Sequence, residues 1–231
     1  LLGAVVNGLG GKAIQRRMGK GAVAAVAVAP VVAAFAVSVA VFGQLLGLDP
    51  ERRVLLDVVW RWLAVGSLHV DVAFLADPLS ATLLLVVTGI GGLIHLYSTA
   101  YMREDDAYWR YFAYLNLFTF AMLVLVLADN LLLMFVGWEG VGFCSWALIG
   151  FWWREQVNTT AGNKAFIVNR VGDAGFVLGV FALFWALDAA GHGTVVFRDV
   201  QHHAASLDGR VLFGVPAATL VTLLLFVGAT G

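Results

Sequence analysis

The chain has 231 residues, of which 61% are hydrophobic and only 13% are charged, and its formal net charge at pH 7 is −1. This composition excludes an ordinary soluble domain. The lack of a basic excess argues against a nucleic-acid partner. The single cysteine, Cys144, allows neither an intrachain disulfide nor a cysteine cluster for zinc or iron–sulfur.

Long uncharged stretches dominate the sequence when histidine is counted as neutral. They cover residues 21–48, 78–102, 111–128 and 211–231. About 20 apolar residues, at ~1.5 Å each, cross a hydrocarbon core of roughly 30 Å. The sequence therefore predicts an all-α fold, a polytopic bundle of transmembrane helices integral to a lipid bilayer.

The hydropathy pattern places seven helices along the chain. We predict them at 1–10, 21–47, 77–101, 108–128, 130–153, 163–187 and 211–231. The chain begins and ends inside apolar runs, so we expect a piece of a longer protein whose first helix is truncated. We divide it into N-terminal helices with an outer loop, 1–76, and a transmembrane region, 77–231.

The longest connection, residues 48–76, carries a strand pattern. Residues 68–74 alternate between apolar and polar side chains, and an apolar run at 58–63 precedes them across residues 64–67. This spacing predicts a short β-hairpin outside the bilayer.

Lysine and arginine are divided unequally between alternate loops. One set of loops and helix ends carries eight of them, and the other set, which includes the hairpin, carries five. Because basic residues favour the cytoplasmic side, the first set is expected to be cytoplasmic and the hairpin extracytoplasmic.

Glu139 is the most informative residue, because it stands alone in the otherwise uncharged stretch 130–153. Insertion scales put a charged residue at the centre of a membrane helix at roughly 2.5–3.5 kcal/mol. A chain that retains such a carboxyl group usually uses it, most often to hold and pass a proton.

Two further charged residues lie in the next predicted helix, Arg170 and Asp173, three positions apart and therefore able to pair. Glu139 and Asp173 each lie nine residues inside their helices, or ~14 Å deep, so they can face each other. Desolvation favours a neutral carboxyl group and a nearby cation favours its ionised form. A glutamate between these effects can bind and release a proton when the cation moves, although Arg170 and Asp173 could also be a purely structural pair.

Small residues flank these charges and predict close helix packing. On the fifth helix they are Gly137, Gly140, Cys144 and Ala147, and on the sixth they are Gly172, Gly175 and Gly179.

The remaining polar residues give weaker signals. Lys164 lies where its helix enters the membrane and can simply extend its ammonium group to the surface. His95, close to Tyr97 and Tyr101, is predicted to lie at the membrane interface. Four other histidines fall in outer loops and lack the spacing of a helical metal site, so no metal ligands are assigned.

Residues 128–142 read ADNLLLMFVGWEGVG, and CS at 144–145 and LIGFW at 148–152 follow. Together with KAF at 164–166 and NRVGD at 169–173, this block closely resembles the large antiporter-like subunit of respiratory complex I, called subunit L in bacteria and subunit 5 in mitochondria. The resemblance covers about residues 70–231.

The resemblance implies a proton-translocating subunit of NADH:quinone oxidoreductase, in the bacterial cytoplasmic or mitochondrial inner membrane. Its partners would be other membrane-arm subunits, and this chain would hold no cofactor or redox centre. The glutamate of the family's fifth helix falls on Glu139, and the arginine and aspartate of its sixth helix fall on Arg170 and Asp173. An essential lysine of the family would follow residue 231, so this polypeptide alone is not expected to pump protons.

Two alternatives remain open from the sequence. The large subunit of a multisubunit Na⁺/H⁺ antiporter shares the same helices and the same glutamate. A membrane-embedded transferase would need a nucleophile or metal set near an interface, which the mid-depth carboxyl groups do not provide.

Overall fold

The computed structural model describes every residue from 1 to 231 and is mostly helical. The helices are α1 (Leu2–Met18), α2 (Lys20–Leu46), α3 (Pro78–Tyr101), α4 (Tyr108–Leu127), α5 (Leu131–Ile149), α6 (Gln156–Asp188), α7 (Phe197–His203) and α8 (Ala217–Thr230). The strands are β1 (Leu55–Val65), β2 (Leu68–Ala76), β3 (Val211–Leu212) and β4 (Val215–Pro216). The predicted helical bundle with an appended hairpin is confirmed.

Five helices, α2 to α6, are long and apolar enough to cross a membrane, and α8 is a shorter apolar helix. Their outward faces carry large apolar side chains such as Leu93, Val171 and Phe181, each more than 60% exposed. Such a surface is unfavourable in water and is what lipid tails cover in a membrane protein.

The predicted hairpin is present, with strands longer than the alternating pattern suggested. β1 and β2 pair in antiparallel register from Leu55 opposite Ala76 to Val65 opposite Leu68. Gly66 makes the tight turn with a φ of 58°, a conformation that glycine adopts without steric cost.

Several predicted helix ends were wrong. α1 continues past residue 10 to Met18 and stops before Gly19, whose φ is 82°. α5 ends at Ile149 rather than 153, and α6 begins at Gln156 rather than 163. An uncharged run shows how long a segment is apolar, whereas a helix ends where its backbone hydrogen bonds end. The polar helical turns at the end of α1 and the start of α6 were therefore missed.

The last predicted helix was also wrong at its start. Residues 211–216 form the two-residue strands β3 and β4 around Phe213 and Gly214, both with positive φ, and α8 begins only at Ala217. Hydropathy cannot separate a short apolar hairpin from a helix of the same composition.

The connections collect at two opposite ends of the bundle. At one end Lys20 donates to the carbonyl oxygen of Arg103, and the indole of Trp152 donates to Asp105. At the other end the β1–β2 hairpin contacts residues 128–130, and the segment 129–131 in turn bonds residues 195–197. This arrangement groups the loops as the alternate-side assignment requires.

Candidate functional site

Glu139 and Arg170 form an ion pair between α5 and α6. The Nη1 atom of Arg170 contacts Oε2 of Glu139. Arg170 lies near the middle of the long helix α6, and Glu139 lies nine positions into α5. The pair thus joins two neighbouring membrane helices through a carboxylate on α5 and a guanidinium on α6.

The same guanidinium also reaches Asp173. Its Nη1 atom lies 3.5 Å from Oδ2 of Asp173, which is one helical turn further along α6. The structure therefore brings together all three residues that the sequence singled out, and it places both carboxyl groups around one cation. We call Glu139, Arg170 and Asp173 the ion-pair site.

The ion-pair site is unevenly buried. The Asp173 side chain is 9% exposed, whereas those of Glu139 and Arg170 are 28% and 37% exposed. Two ionised carboxyl groups and one guanidinium carry a net charge of −1, which is costly away from water. One proton bound to either carboxyl group would make the site neutral.

Trp138 completes the site and was missed by the sequence reasoning. Its indole nitrogen donates a hydrogen bond of 2.8 Å to Oδ1 of Asp173. Its ring stacks on Phe176 at 5.6 Å between centroids, and Phe176 stacks on Phe135 at 5.5 Å. An indole N–H removed from water needs a hydrogen-bond acceptor, so a tryptophan in the middle of a membrane helix was the available signal.

Arg170 is held from a second side by an aromatic ring. Its guanidinium carbon lies 4.6 Å from the centroid of Phe166, one turn earlier on α6. The Nε atom is buried without a hydrogen-bond partner. The cation is therefore positioned by the carboxyl groups and the ring, and not by a full set of hydrogen bonds.

A cavity of about 320 Å³ adjoins the ion-pair site, and we call it the site cavity. Its lining includes the polar side chains of Ser145, Asn169 and Asp173, together with Trp138 and Phe118. A cavity of this size with several polar groups can hold several water molecules. Water there would give Asp173 a route for proton exchange.

The small-residue stripes do not pack α5 against α6, contrary to expectation. A Cβ atom on Gly137 would lie 2.5 Å from the backbone nitrogen of Leu125, on α4. A Cβ atom on Gly175 would lie 2.7 Å from a methyl carbon of Val227, on α8. The stripes bring α4 against α5 and α8 against α6, which leaves the α5–α6 interface to the charged and aromatic side chains.

His95 is completely buried between helices. Its predicted depth at the membrane interface stays a prediction. Its Nδ1 atom lies 2.7 Å from the carbonyl oxygen of Gly91, and its Nε2 atom lies 2.9 Å from Nδ2 of Asn116. Its polar partner Asn116 lies on α4.

The other polar residues considered from the sequence, Lys164 and the loop histidines, lie away from the site. Lys164 is exposed on α6, as expected for a side chain that reaches towards the membrane surface. His192 and His203 stack in the loop region with ring centroids 4.0 Å apart, and His202 lies beside them.

Two family descriptions match this sequence. Residues 62–112 match "NADH-Ubiquinone oxidoreductase (complex I), chain 5 N-terminus", and residues 128–231 match "NADH:quinone oxidoreductase/Mrp antiporter, TM". The ion-pair site lies entirely within the second match.

Curated relatives carry the same names. NADH-quinone oxidoreductase subunit L of Mycobacterium tuberculosis (strain CDC 1551 / Oshkosh) is 42% identical over 206 residues, covering 87% of this chain and 30% of the relative. Subunit L of Escherichia coli (strain K12) is 45% identical over 175 residues, covering 75% and 27%. NADH-ubiquinone oxidoreductase chain 5 of Chondrus crispus is 42% identical over 170 residues, covering 74% and 25%. The chain thus spans less than a third of the length of these relatives.

The fold resembles a chain of a solved structure described as the Mrp complex from Dietzia sp. DQ12-45-1b. The TM-score is 0.74 and the sequence identity is 21%, and the match covers 99% of this chain and 22% of the other. At this identity the likeness concerns the fold alone.

Proposed function

This chain belongs to the family of antiporter-like membrane subunits represented by subunit L and chain 5 of NADH-quinone oxidoreductase, and we propose that its ion-pair site carries protons during translocation. The observation that carries the proposal is the single guanidinium of Arg170 shared between Glu139 and Asp173.

Charge balance defines the two states of this site. When Arg170 pairs with Glu139, the glutamate is held ionised and Asp173 keeps only the weaker contact at 3.5 Å and the Trp138 hydrogen bond. When Arg170 moves towards Asp173, Glu139 loses its counter-ion and takes up a proton. A swing of one side chain therefore loads and unloads Glu139.

The surroundings suit such a movement. Arg170 is partly exposed and lacks a partner for Nε, so few bonds must break when it moves. Asp173 is fixed by burial and by Trp138, so it is the stationary member of the pair. The site needs energy from elsewhere to favour one state over the other.

We assign that energy to quinone reduction in a larger NADH:quinone oxidoreductase, of which this chain would be part of one membrane-arm subunit. Other membrane-arm subunits and the lipid bilayer would be its partners, and the bacterial cytoplasmic or mitochondrial inner membrane its location. The chain itself would contribute proton transfer and no redox centre or cofactor.

A Na⁺/H⁺ antiporter subunit is the second candidate, because the description that matches residues 128–231 covers both kinds of protein. The relatives more than 40% identical carry oxidoreductase names, which favours the first candidate. Proton movement that persists without sodium and depends on NADH would support the oxidoreductase subunit, and sodium-driven movement without NADH would support the antiporter.

The test replaces Glu139 by glutamine in the full-length subunit within its native complex. In membrane vesicles, the number of protons moved per NADH oxidised should fall strongly while the complex still assembles. Glu104→Gln is the matched control, because Glu104 is exposed in the α3–α4 loop and should leave the ratio unchanged. Unchanged pumping by an assembled Glu139→Gln complex would remove this residue from the mechanism, and lost assembly would make it structural.

A further inference from the structure

A second buried polar centre lies on the other side of α4 from the ion-pair site. His95 is 0% exposed and Asn116 is 4% exposed, and their side chains are joined at 2.9 Å. The Nδ2 atom of Asn116 also donates to the carbonyl oxygen of Ala27, on α2, at 2.9 Å. Three membrane helices are therefore linked around one imidazole. An apolar side chain at this buried position would cost less free energy of desolvation than histidine.

The hydrogen bonds fix the tautomer of His95. The carbonyl oxygen of Gly91 can only accept, so Nδ1 carries the hydrogen and donates to it. Asn116 uses its amide nitrogen for Ala27, so the same nitrogen donates its other hydrogen to Nε2. His95 is therefore neutral in this structure, and the lone pair on Nε2 is its one site for an additional proton.

Asn116 carries a free hydrogen-bond acceptor that a protonated imidazole would need. Its Oδ1 atom is buried and has no hydrogen-bond partner. If a proton from water binds to Nε2, the bond from the Asn116 amide to Nε2 breaks, and rotation of that amide lets Oδ1 accept from the new Nε2–H. The same rotation breaks the bond from Asn116 to the carbonyl oxygen of Ala27. Release of the proton restores the present arrangement, and no electrons change hands.

A cavity of about 230 Å³ between α3 and α4 reaches His95, and Thr119 and Phe118 also line it. We call it the His95 cavity. Phe118 lines the site cavity as well, on the side of Trp138 and Asp173. Phe118 therefore borders both the space beside the imidazole and the space beside the ion-pair site.

Electrostatics favour movement between the two centres. The buried faces of α1 and α2 carry no charged side chain, and the titratable neighbours on α4 are Tyr108 and Tyr111. Tyr111 bonds Ser98, one turn from His95, at 3.2 Å. A cationic His95 would have no adjacent counter-ion, whereas the ion-pair site has one negative charge in excess when both carboxyl groups are ionised, so a proton is drawn towards Asp173 and Glu139.

We propose that His95 is a proton-relay group that exchanges protons with the ion-pair site through the two cavities that Phe118 borders. This inference rests on the proposed function and extends it to a second group. Asn116 acts as a positioning residue whose amide turns with each proton bound.

The test compares His95→Gln with His69→Gln in the full-length subunit within its complex. Glutamine keeps hydrogen-bonding capacity but cannot bind a proton, and His69 is an exposed histidine of the hairpin. The rate of proton movement should fall by about tenfold or more in His95→Gln and stay unchanged in the control. An assembled His95→Gln complex that pumps normally would overturn the proposal.

A second measurement decides the question if His95→Gln does not assemble. Isotope-labelled histidine in the unmodified complex should give an infrared imidazolium signal that rises and falls during NADH turnover, and Asn116→Leu should alter it. If no buried histidine changes protonation, the relay is wrong. Glu139→Gln is measured alongside: if it loses pumping while His95→Gln pumps normally, the relay is wrong and the proposed function stands. Normal pumping by an assembled Glu139→Gln complex would overturn both.

Discussion

Trp138 holds the most buried carboxyl group of the ion-pair site, and this hydrogen bond can be removed by itself. Trp138→Phe keeps an aromatic ring on Phe176 but removes the N–H that donates to Asp173. Hydrogen bonds to charged groups are worth about 1.5–3 kcal/mol, so we expect the free energy of unfolding in detergent to fall by that amount.

Trp146→Phe is the control for this change. Trp146 donates to Asn163 at 3.1 Å on an exposed part of the surface, so its removal should cost less than about 1 kcal/mol. Equal losses of unfolding free energy in the two variants would show that the hydrogen bond to Asp173 contributes no more to stability than an exposed one.

Asp129 gives a pH-dependent prediction outside the membrane-spanning helices. Burial raises the pKa of this carboxyl group above its ordinary value, Arg198 opposes the rise, and Asp199 and Asp71 add to it. The unfolded chain therefore loses its proton first, at about pH 4, and stability falls as the pH rises from there through the folded pKa.

We expect Asp129→Asn to raise the midpoint temperature of unfolding at pH 7, and the gain to shrink as the pH is lowered towards about 4. Asp208→Asn changes an exposed carboxyl group and should show no such trend. A gain that grew at low pH would contradict the assigned cause.

Residue types and spacing predicted the charged members of the ion-pair site but not their surroundings. A lone Glu139, with Arg170 and Asp173 three apart, can be recognised because each is costly in a membrane and the spacing fixes the face. The hydrogen-bond partners of Trp138 and Asn116 could not be assigned, because they depend on which helix lies opposite. The proton-carrying role of the three charged residues stays a prediction.

At the scale of helices, the close approach of α4 to α5 depends on Gly137. A methyl group at this position would meet backbone atoms of Leu125 at 2.5–2.7 Å, and the backbone cannot rotate away. We expect Gly137→Ala to lower the free energy of unfolding by about 1–3 kcal/mol, measured in detergent.

Gly43→Ala supplies the opposite case within the same protein. Gly43 lies in α2 with nothing within 4 Å of its Cβ position, so alanine should stabilise the helix by about 0.5–1 kcal/mol. If both variants changed stability in the same direction, tight packing at Gly137 would not be the cause.

Sequence periodicity predicted which helices contain small-residue stripes, but it did not predict which neighbouring helix each stripe contacts. Gly137 and Gly175 were expected to join α5 to α6, and they join these helices to α4 and α8 instead. A small residue permits close approach by any partner, so the pairing is decided by the whole arrangement of helices. The division of the chain at residue 76 is likewise untested and stays a prediction.

For the whole molecule, the grouping of loops at two ends and the division of charge lead to one orientation. The end that holds the α1–α2, α3–α4 and α5–α6 connections carries most of the lysine and arginine residues. Basic loops are retained on the cytoplasmic side, so this end should face the cytoplasm and the hairpin end should face outward.

Cysteine labelling tests this orientation in intact bacterial cells that carry the full-length protein. A membrane-impermeant maleimide should label Glu104→Cys only after the cells are permeabilised, and should label His202→Cys without that step, because both positions are exposed at opposite ends. The native Cys144 is fully buried and should give no background. The reverse labelling pattern would invert the molecule, and would place the hairpin and Asp129 on the cytoplasmic side.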